Sequence, residues 1–200
     1  MIYAIKSILY KFFLILRGAK VGKNFKCFNF PLLESNNYIL NLIIGDNVTF
    51  RWNVEIFFRN SGSIKISDNV KIDTNVRLLV ANKANLNIGH GSNIGKNTII
   101  NAGDNISIGK NCLISANCLF QSSSHVYKSK KNIKNSGYKH KPVKLYGDNW
   151  VGAGSIILSG SSIEKGSIIP ALSKINSKVK KNYIFYGKRS KKNRSRFNEL

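Results

Sequence analysis

Apolar residues recur at every sixth position along most of the chain. They stand at Ile44, Phe50 and Ile56, then at Ile66, Ile72 and Leu78, then at Ile88, Ile94 and Ile100, then at Ile108, Ile114 and Phe120. Five segments share a corner signature: Val21-Gly22-Lys23-Asn24-Phe25, Ile44-Gly45-Asp46-Asn47-Val48, Ile66-Ser67-Asp68-Asn69-Val70, Ile94-Gly95-Lys96-Asn97-Thr98 and Ile108-Gly109-Lys110-Asn111-Cys112. A period of six fits neither a helix nor a long alternating strand. Three short straight runs per turn, with Gly and Asn supplying positive φ at the corners, make a triangular parallel β-coil. The apolar residue of each hexad points inward and stacks on its equivalent one coil away. Two to four extra residues follow each set of three hexads, as at Arg59-Asn60-Ser61-Gly62, and are expected to bulge from one corner.

The rhythm stops at Gln121-Ser122-Ser123-Ser124-His125 and resumes at Leu145, Val151, Ile157, Ile163, Ile169 and Ile175. About four coils are expected before this break and two after it. The predicted organisation is a cap over residues 1–20, a β-helical domain over 21–177 with a protruding loop at 121–144, and a basic segment over 178–200. Stacked coils leave two open ends. The apolar stretch Met1 to Arg17 is expected to form a helix that either covers the first end or lies on a membrane surface. It is too short to span a bilayer and has no small-residue cleavage site of a secretory signal.

Charge changes the picture of the partners. The chain carries 32 Lys+Arg against 9 Asp+Glu, a net +23. Such an excess bears on association and leaves the fold open. It points to an anionic membrane, a polyanion or an acidic small molecule. The loop from Val126 to Lys144 alone holds seven Lys and no acid. Cys27, Cys112 and Cys118 form no CxxC and no even framework. They read as packed thiols in a reducing compartment.

Three histidines offer chemistry. His90 sits at a hexad corner, and His140 lies between Lys139 and Lys141, so both are expected in solvent. His125 follows the last regular hexad, at the base of the break, and is the candidate functional histidine. Three histidines spaced 35 and 15 apart, two of them in corner or loop positions, do not suggest a zinc centre, and no metal is expected.

With these features the chain resembles the hexapeptide-repeat acyltransferases, which are built on a left-handed parallel β-helix. The likeness covers about residues 44 to 192. Its most specific stretch is Tyr146-Gly147-Asp148-Asn149-Trp150-Val151-Gly152-Ala153-Gly154-Ser155-Ile156-Ile157-Leu158-Ser159-Gly160, similar to the family's isoleucine-glycine-aspartate-asparagine, tryptophan and glycine-alanine-glycine run. Ser124-His125 resembles the Ser-His of sugar O-acetyltransferases of bacterial surface polysaccharides. The chain departs from the family at Ile169-Pro170-Ala171-Leu172-Ser173, where glycines are usual at the second and fourth places, and at Gly187-Lys188-Arg189-Ser190-Lys191.

The resemblance implies an acetyl-CoA-dependent O-acetyltransferase acting on a capsule, lipo-oligosaccharide or O-antigen sugar. It implies that His125 is the general base, because imidazole titrates near neutrality and can take a hydroxyl proton. It implies that Trp150 packs beside the acetyl group and offers its indole N–H to the oxyanion. The alternative is that Trp150 fills a wedge between coils. Acetyl-CoA would lie between two subunits of a homotrimer, near Ala153, Ala171 and Ser173, with Lys188 and Lys191 at its phosphates. A cytoplasmic protein, or one held at the inner face of the membrane, is implied. An acidic sugar is among the acceptors the lysine loop would attract. An antibiotic O-acetyltransferase and a non-catalytic cationic binding module stay open as alternatives. Specific nucleic-acid binding is not expected, since no aromatic-glycine motif or finger accompanies the charge.

Overall fold

The computed structural model describes residues 2–35, 41–127, 132–186 and 194–195. The chain is a parallel β-solenoid of about seven turns preceded by one helix. Each turn contributes one short strand to each of three faces. Among the described residues the faces hold eight, nine and seven strands. The inward positions of the hexads are buried as the period requires: Ile44, Ile66, Ile88, Ile108, Leu145 and Ile163 along one face, and Phe50, Ile72, Ile94, Ile114, Val151 and Ile169 along the next. Ile56, Leu78, Ile100, Phe120, Ile157 and Ile175 line the third. Burying each such side chain contributes about 1.5–3 kcal/mol.

Two expectations need correction. Five coils precede the break, because a first one is made by Lys20–Val21, Lys26–Cys27 and Leu32–Ser35. Nor do the extra residues at 59–62 bulge from a corner from the start. Those at 59 and 60 prolong the third-face strand, so that Glu55–Asn60 pairs with Arg77–Asn82 over all six residues. Phe57, Phe58, Leu79 and Val80 are all buried there, which widens this face beyond the hexad frame.

The corners show why asparagine is so abundant. Among the described residues eleven of the thirteen non-glycine residues with positive φ are Asn, and at one corner Asn side chains stack from coil to coil. Asn29 donates to Asn53 (3.0 Å), Asn53 to Asn75 (3.2 Å), Asn75 to Asn97 (3.0 Å) and Asn97 to Asn117 (3.0 Å). At the corner after the break, Asp148 takes the left-handed place (φ 51°) and Asn149 falls at an inward place that Val48, Val70 and Cys112 fill elsewhere. Its buried amide is satisfied by donating to the Glu164 carbonyl at 2.7 Å and accepting from Gly147 N–H at 3.0 Å. A polar side chain is therefore tolerated in the core.

The helix Ile2–Leu16 (α1) covers the first open end. Ser7, Tyr10 and Leu14 are buried against the first coil. Ser7 Oγ accepts from Cys27 N–H (2.9 Å), and Tyr10 donates to the Pro31 carbonyl (2.9 Å). The opposite side of α1 exposes Ile5, Ile8, Leu9, Phe12, Ile15 and Leu16. At the far end the ladder runs on through Lys178–Val179 and Tyr183–Ile184, and Phe185 joins the core. Arg194–Ser195 adds an antiparallel edge there.

Candidate active site

The break in the ladder is a two-stranded antiparallel arm, Ser123–His125 against Tyr138–His140. Its register sets Ser123 opposite His140 and His125 opposite Tyr138. His125 is exposed on this arm, beyond the rigid coil, and its ring meets Tyr138 at 4.4 Å between centroids. Tyr138 in turn stacks at 6.0 Å on His140, so the phenol lies between two imidazoles. His140 is exposed, as expected, yet it is anchored: its Nδ1 shares a 2.9 Å hydrogen bond with Ser123 Oγ. Lys134, Lys139 and Lys141 are exposed along the arm. The loop's Lys128, Lys130 and Lys131 fall outside the described residues.

A groove of about 610 Å³ opens between the second-face strands and the corner that follows them. Trp150, Ala153 and Ala171 line it together with Ile168, Pro170 and Tyr186. Three of the residues singled out in the sequence therefore share one apolar wall. Ser173 stands past this corner, where its N–H donates to Ser155 Oγ (3.3 Å) and its carbonyl accepts from Ile156 (2.8 Å). Lys188 and Lys191 lie outside the described residues. Trp150 fills no wedge between coils: it is 48% exposed on the groove wall. Its indole N–H donates to Ser115 Oγ at 3.1 Å, so an incoming oxyanion would have to draw it away from that serine.

Leu172 borders the same corner. Among the described residues it is the one apolar residue at a non-glycine positive-φ position (φ 58°), and it is 85% exposed. Its Cδ2 lies 2.7 Å from where a Cβ on Gly154 would stand, so glycine is needed beneath it. An L-residue held in this conformation costs about 1–2 kcal/mol, and such strain gathers at functional sites.

His125 and this groove belong to different corners of one chain. The groove follows the second-face strands, whereas the arm leaves after the third-face strand Leu119–Gln121. One face of the prism separates them, roughly 20 Å for a six-residue side.

The arm also closes a second groove, of about 490 Å³, over the widened third face. Arg59, Arg77, Asn101, Gln121, Tyr138 and His140 are among its lining residues. Sequence reading missed it, because it depends on the long strands and on the register of the arm. Among the described residues no cluster of three or more His, Cys, Asp or Glu side chains converges to hold a metal ion. None of their helices is long and apolar enough to cross a membrane.

No protein-family model and no curated protein matches the sequence. Solved structures do. A serine-to-cysteine variant of AntD, an N-acyltransferase from Bacillus cereus, in complex with dTDP-4-amino-4,6-dideoxyglucose and coenzyme A, has a TM-score of 0.61 at 20% identity, over 87% of this chain and 82% of that one. AntD in complex with dTDP and 3-hydroxybutyryl-CoA gives 0.57 at 18% identity, over 87% and 81%. At this identity the likeness is one of fold alone, a parallel β-solenoid.

Proposed function

We propose that the chain transfers an acetyl group from acetyl-CoA to a sugar hydroxyl of a bacterial capsule, lipo-oligosaccharide or O-antigen. The observation that carries this reading is the apolar groove of Trp150, Ala153 and Ala171, on a fold shared with an N-acyltransferase that was solved with coenzyme A. A pantetheine arm suits such a wall, its amides pairing with backbone edges while its carbons meet apolar side chains. Ser173 at the next corner and the cations of the last segment, Lys188 and Lys191, complete the cofactor contacts in this proposal.

In the reaction, the acceptor oxygen attacks the thioester carbonyl as His125 takes its proton. A C–O bond forms, an N–H donor holds the tetrahedral oxyanion, and the C–S bond then breaks. The leaving thiolate recovers the proton from the imidazolium. Thioesters are already activated, so no acyl-enzyme is needed. Because one face separates the arm from the groove in a single chain, the proposal includes a homotrimer in which the His125 arm of one subunit meets the groove of its neighbour. Use of acetyl-CoA assigns the protein to the cytoplasm. The apolar side of α1, on a chain of net +23, is assigned to peripheral contact with the anionic inner face of the membrane.

The test is acceptor-dependent release of the CoA thiol with surface-polysaccharide sugars, wild type beside His125→Ala. A fall of at least about a hundredfold in the variant is expected. No release with any acceptor, together with no acetyl-CoA binding, would return the chain to a cationic binding module.

A further inference from the structure

The groove under the arm carries an unusual pair of atoms. Arg77 Nε and Asn101 Oδ1 are the two buried side-chain polar atoms without a hydrogen-bond partner among the described residues, and both residues line this groove. Buried donors and acceptors are nearly always paired, so two orphans in one recess call for an explanation. The Arg77 guanidinium rests on the Phe57 ring at 4.6 Å, which fixes its plane. Its nearest carboxylate, on Glu55, is 3.8 Å from Nε, a charge contact too long for a hydrogen bond. Arg59 is exposed at the same rim, with no carboxylate partner among the described residues. Asn101 Nδ2 is committed to Gln121 at 3.1 Å, which leaves its carbonyl oxygen as the available acceptor. Tyr138, 60% exposed, walls the groove on the side of the arm.

We propose that this groove binds an acidic sugar: the anionic group meets Arg59 and Arg77, a ring hydroxyl donates to Asn101 Oδ1, and the ring's C–H face lies on Tyr138. Guanidinium forks match carboxylate and phosphate alike, so the ligand class is a sugar bearing either group. The inference rests on the acetyltransferase reading for its biological sense, since His125 pairs across the arm with Tyr138, which lines the groove. It can be tested without that reading.

Binding of methyl glucuronide, glucose 1-phosphate and neutral methyl glucoside is measured by ligand-observed NMR, without acetyl-CoA, at about 0.15 M salt to screen diffuse attraction. At least one acidic probe is expected to bind in preference to the neutral one, and which of them does distinguishes carboxylate from phosphate. Arg59→Gln should weaken that binding about tenfold or more, as loss of a charge-assisted pair does. Arg77→Lys, which keeps a cation over Phe57 but loses the fork, should weaken it as well. Lys71→Gln, which removes an equal charge from an exposed site on the second face, should leave it unchanged. Thermal melts of each variant separate lost binding from lost folding. Equal binding of all three sugars, no binding of any, or equal losses in Arg59→Gln and Lys71→Gln would overturn the proposal. Binding without thiol release would keep the groove and refute only the acetyl transfer.

Discussion

Replacing Asn75 tests whether the corners hold the coil as argued. Asn75 has φ 57°, donates its amide to Asn97 (3.0 Å) and accepts one from Asn53 (3.2 Å). Alanine removes both exposed side-chain bonds, at about 0.5–1 kcal/mol each. It also loses the short polar side chain that eases asparagine into the left-handed region, where another L-residue costs about 1–2 kcal/mol. The expected loss for Asn75→Ala is therefore about 2–4 kcal/mol. Glycine loses the same two bonds but carries no Cβ, and its greater freedom in the unfolded chain costs about 0.5–1 kcal/mol. Asn75→Gly should thus be the milder change, by about 0.5–1 kcal/mol. Urea unfolding of the three proteins, compared only where the slopes agree, reads the difference. Alanine equal to or better than glycine would refute the claim that backbone conformation selects asparagine at these corners. Glycine equal to wild type would show that the side-chain ladder contributes nothing.

Three other outcomes follow from particular residues. Burial pushes the thiols of Cys27, Cys112 and Cys118 up from their ordinary pKa, so a disulfide reagent at pH 8 should find no reactive thiol in the native protein and three after unfolding. Prompt reaction of even one would contradict the packing of the corners, and a silent background is what thiol-release assays need. Leu172→Asn should raise stability by up to about 1 kcal/mol by relieving a left-handed leucine, while weakening acetyl-CoA binding at the groove it borders. Calorimetry and a binding isotherm report the two effects separately. Phe12 is 62% exposed on α1, so Phe12→Glu should leave the melt unchanged and abolish co-sedimentation with vesicles containing phosphatidylglycerol. Unchanged co-sedimentation would remove the membrane from the account.

Much of the scaffold was legible because the inward residue of a hexad obeys one strict period. Within each coil the inward positions from Ile44 to Ile175 follow it. The first coil was legible only at its corner Val21-Gly22-Lys23-Asn24-Phe25, since Phe28, Phe30 and Leu32 interleave apolar residues between Cys27 and Leu33 and blur the pattern. Phe30 and Leu32 are in fact more than half exposed. The widening of the third face was hidden for the opposite reason: Phe57 beside Phe58, and Leu79 beside Val80, are buried on both sides of the strand. At the break, the sequence located the arm but gave no register, because a lysine-rich polar hairpin has no buried face to fix one. The register is what brings His140 to Ser123 and Tyr138 to His125. The resemblance named Trp150, Ala153 and Ala171 for separate contacts; their meeting on one wall, the bond from Trp150 to Ser115 and the left-handed Leu172 all depend on packing across coils.

In the proposed reaction the His125 arm of one subunit works on the groove of another, and mixed trimers probe that pairing. His125→Ala and Ala171→Trp, the latter filling an exposed position in the groove, should each be inactive in acceptor-dependent thiol release. Co-expressed in equal amounts, they should regain about a quarter of wild-type activity, because one site in four would pair an intact histidine with an intact groove across the interface. Mixed trimers as inactive as either parent, beside an active wild type, would place the histidine and the groove within one chain and contradict the arrangement argued here.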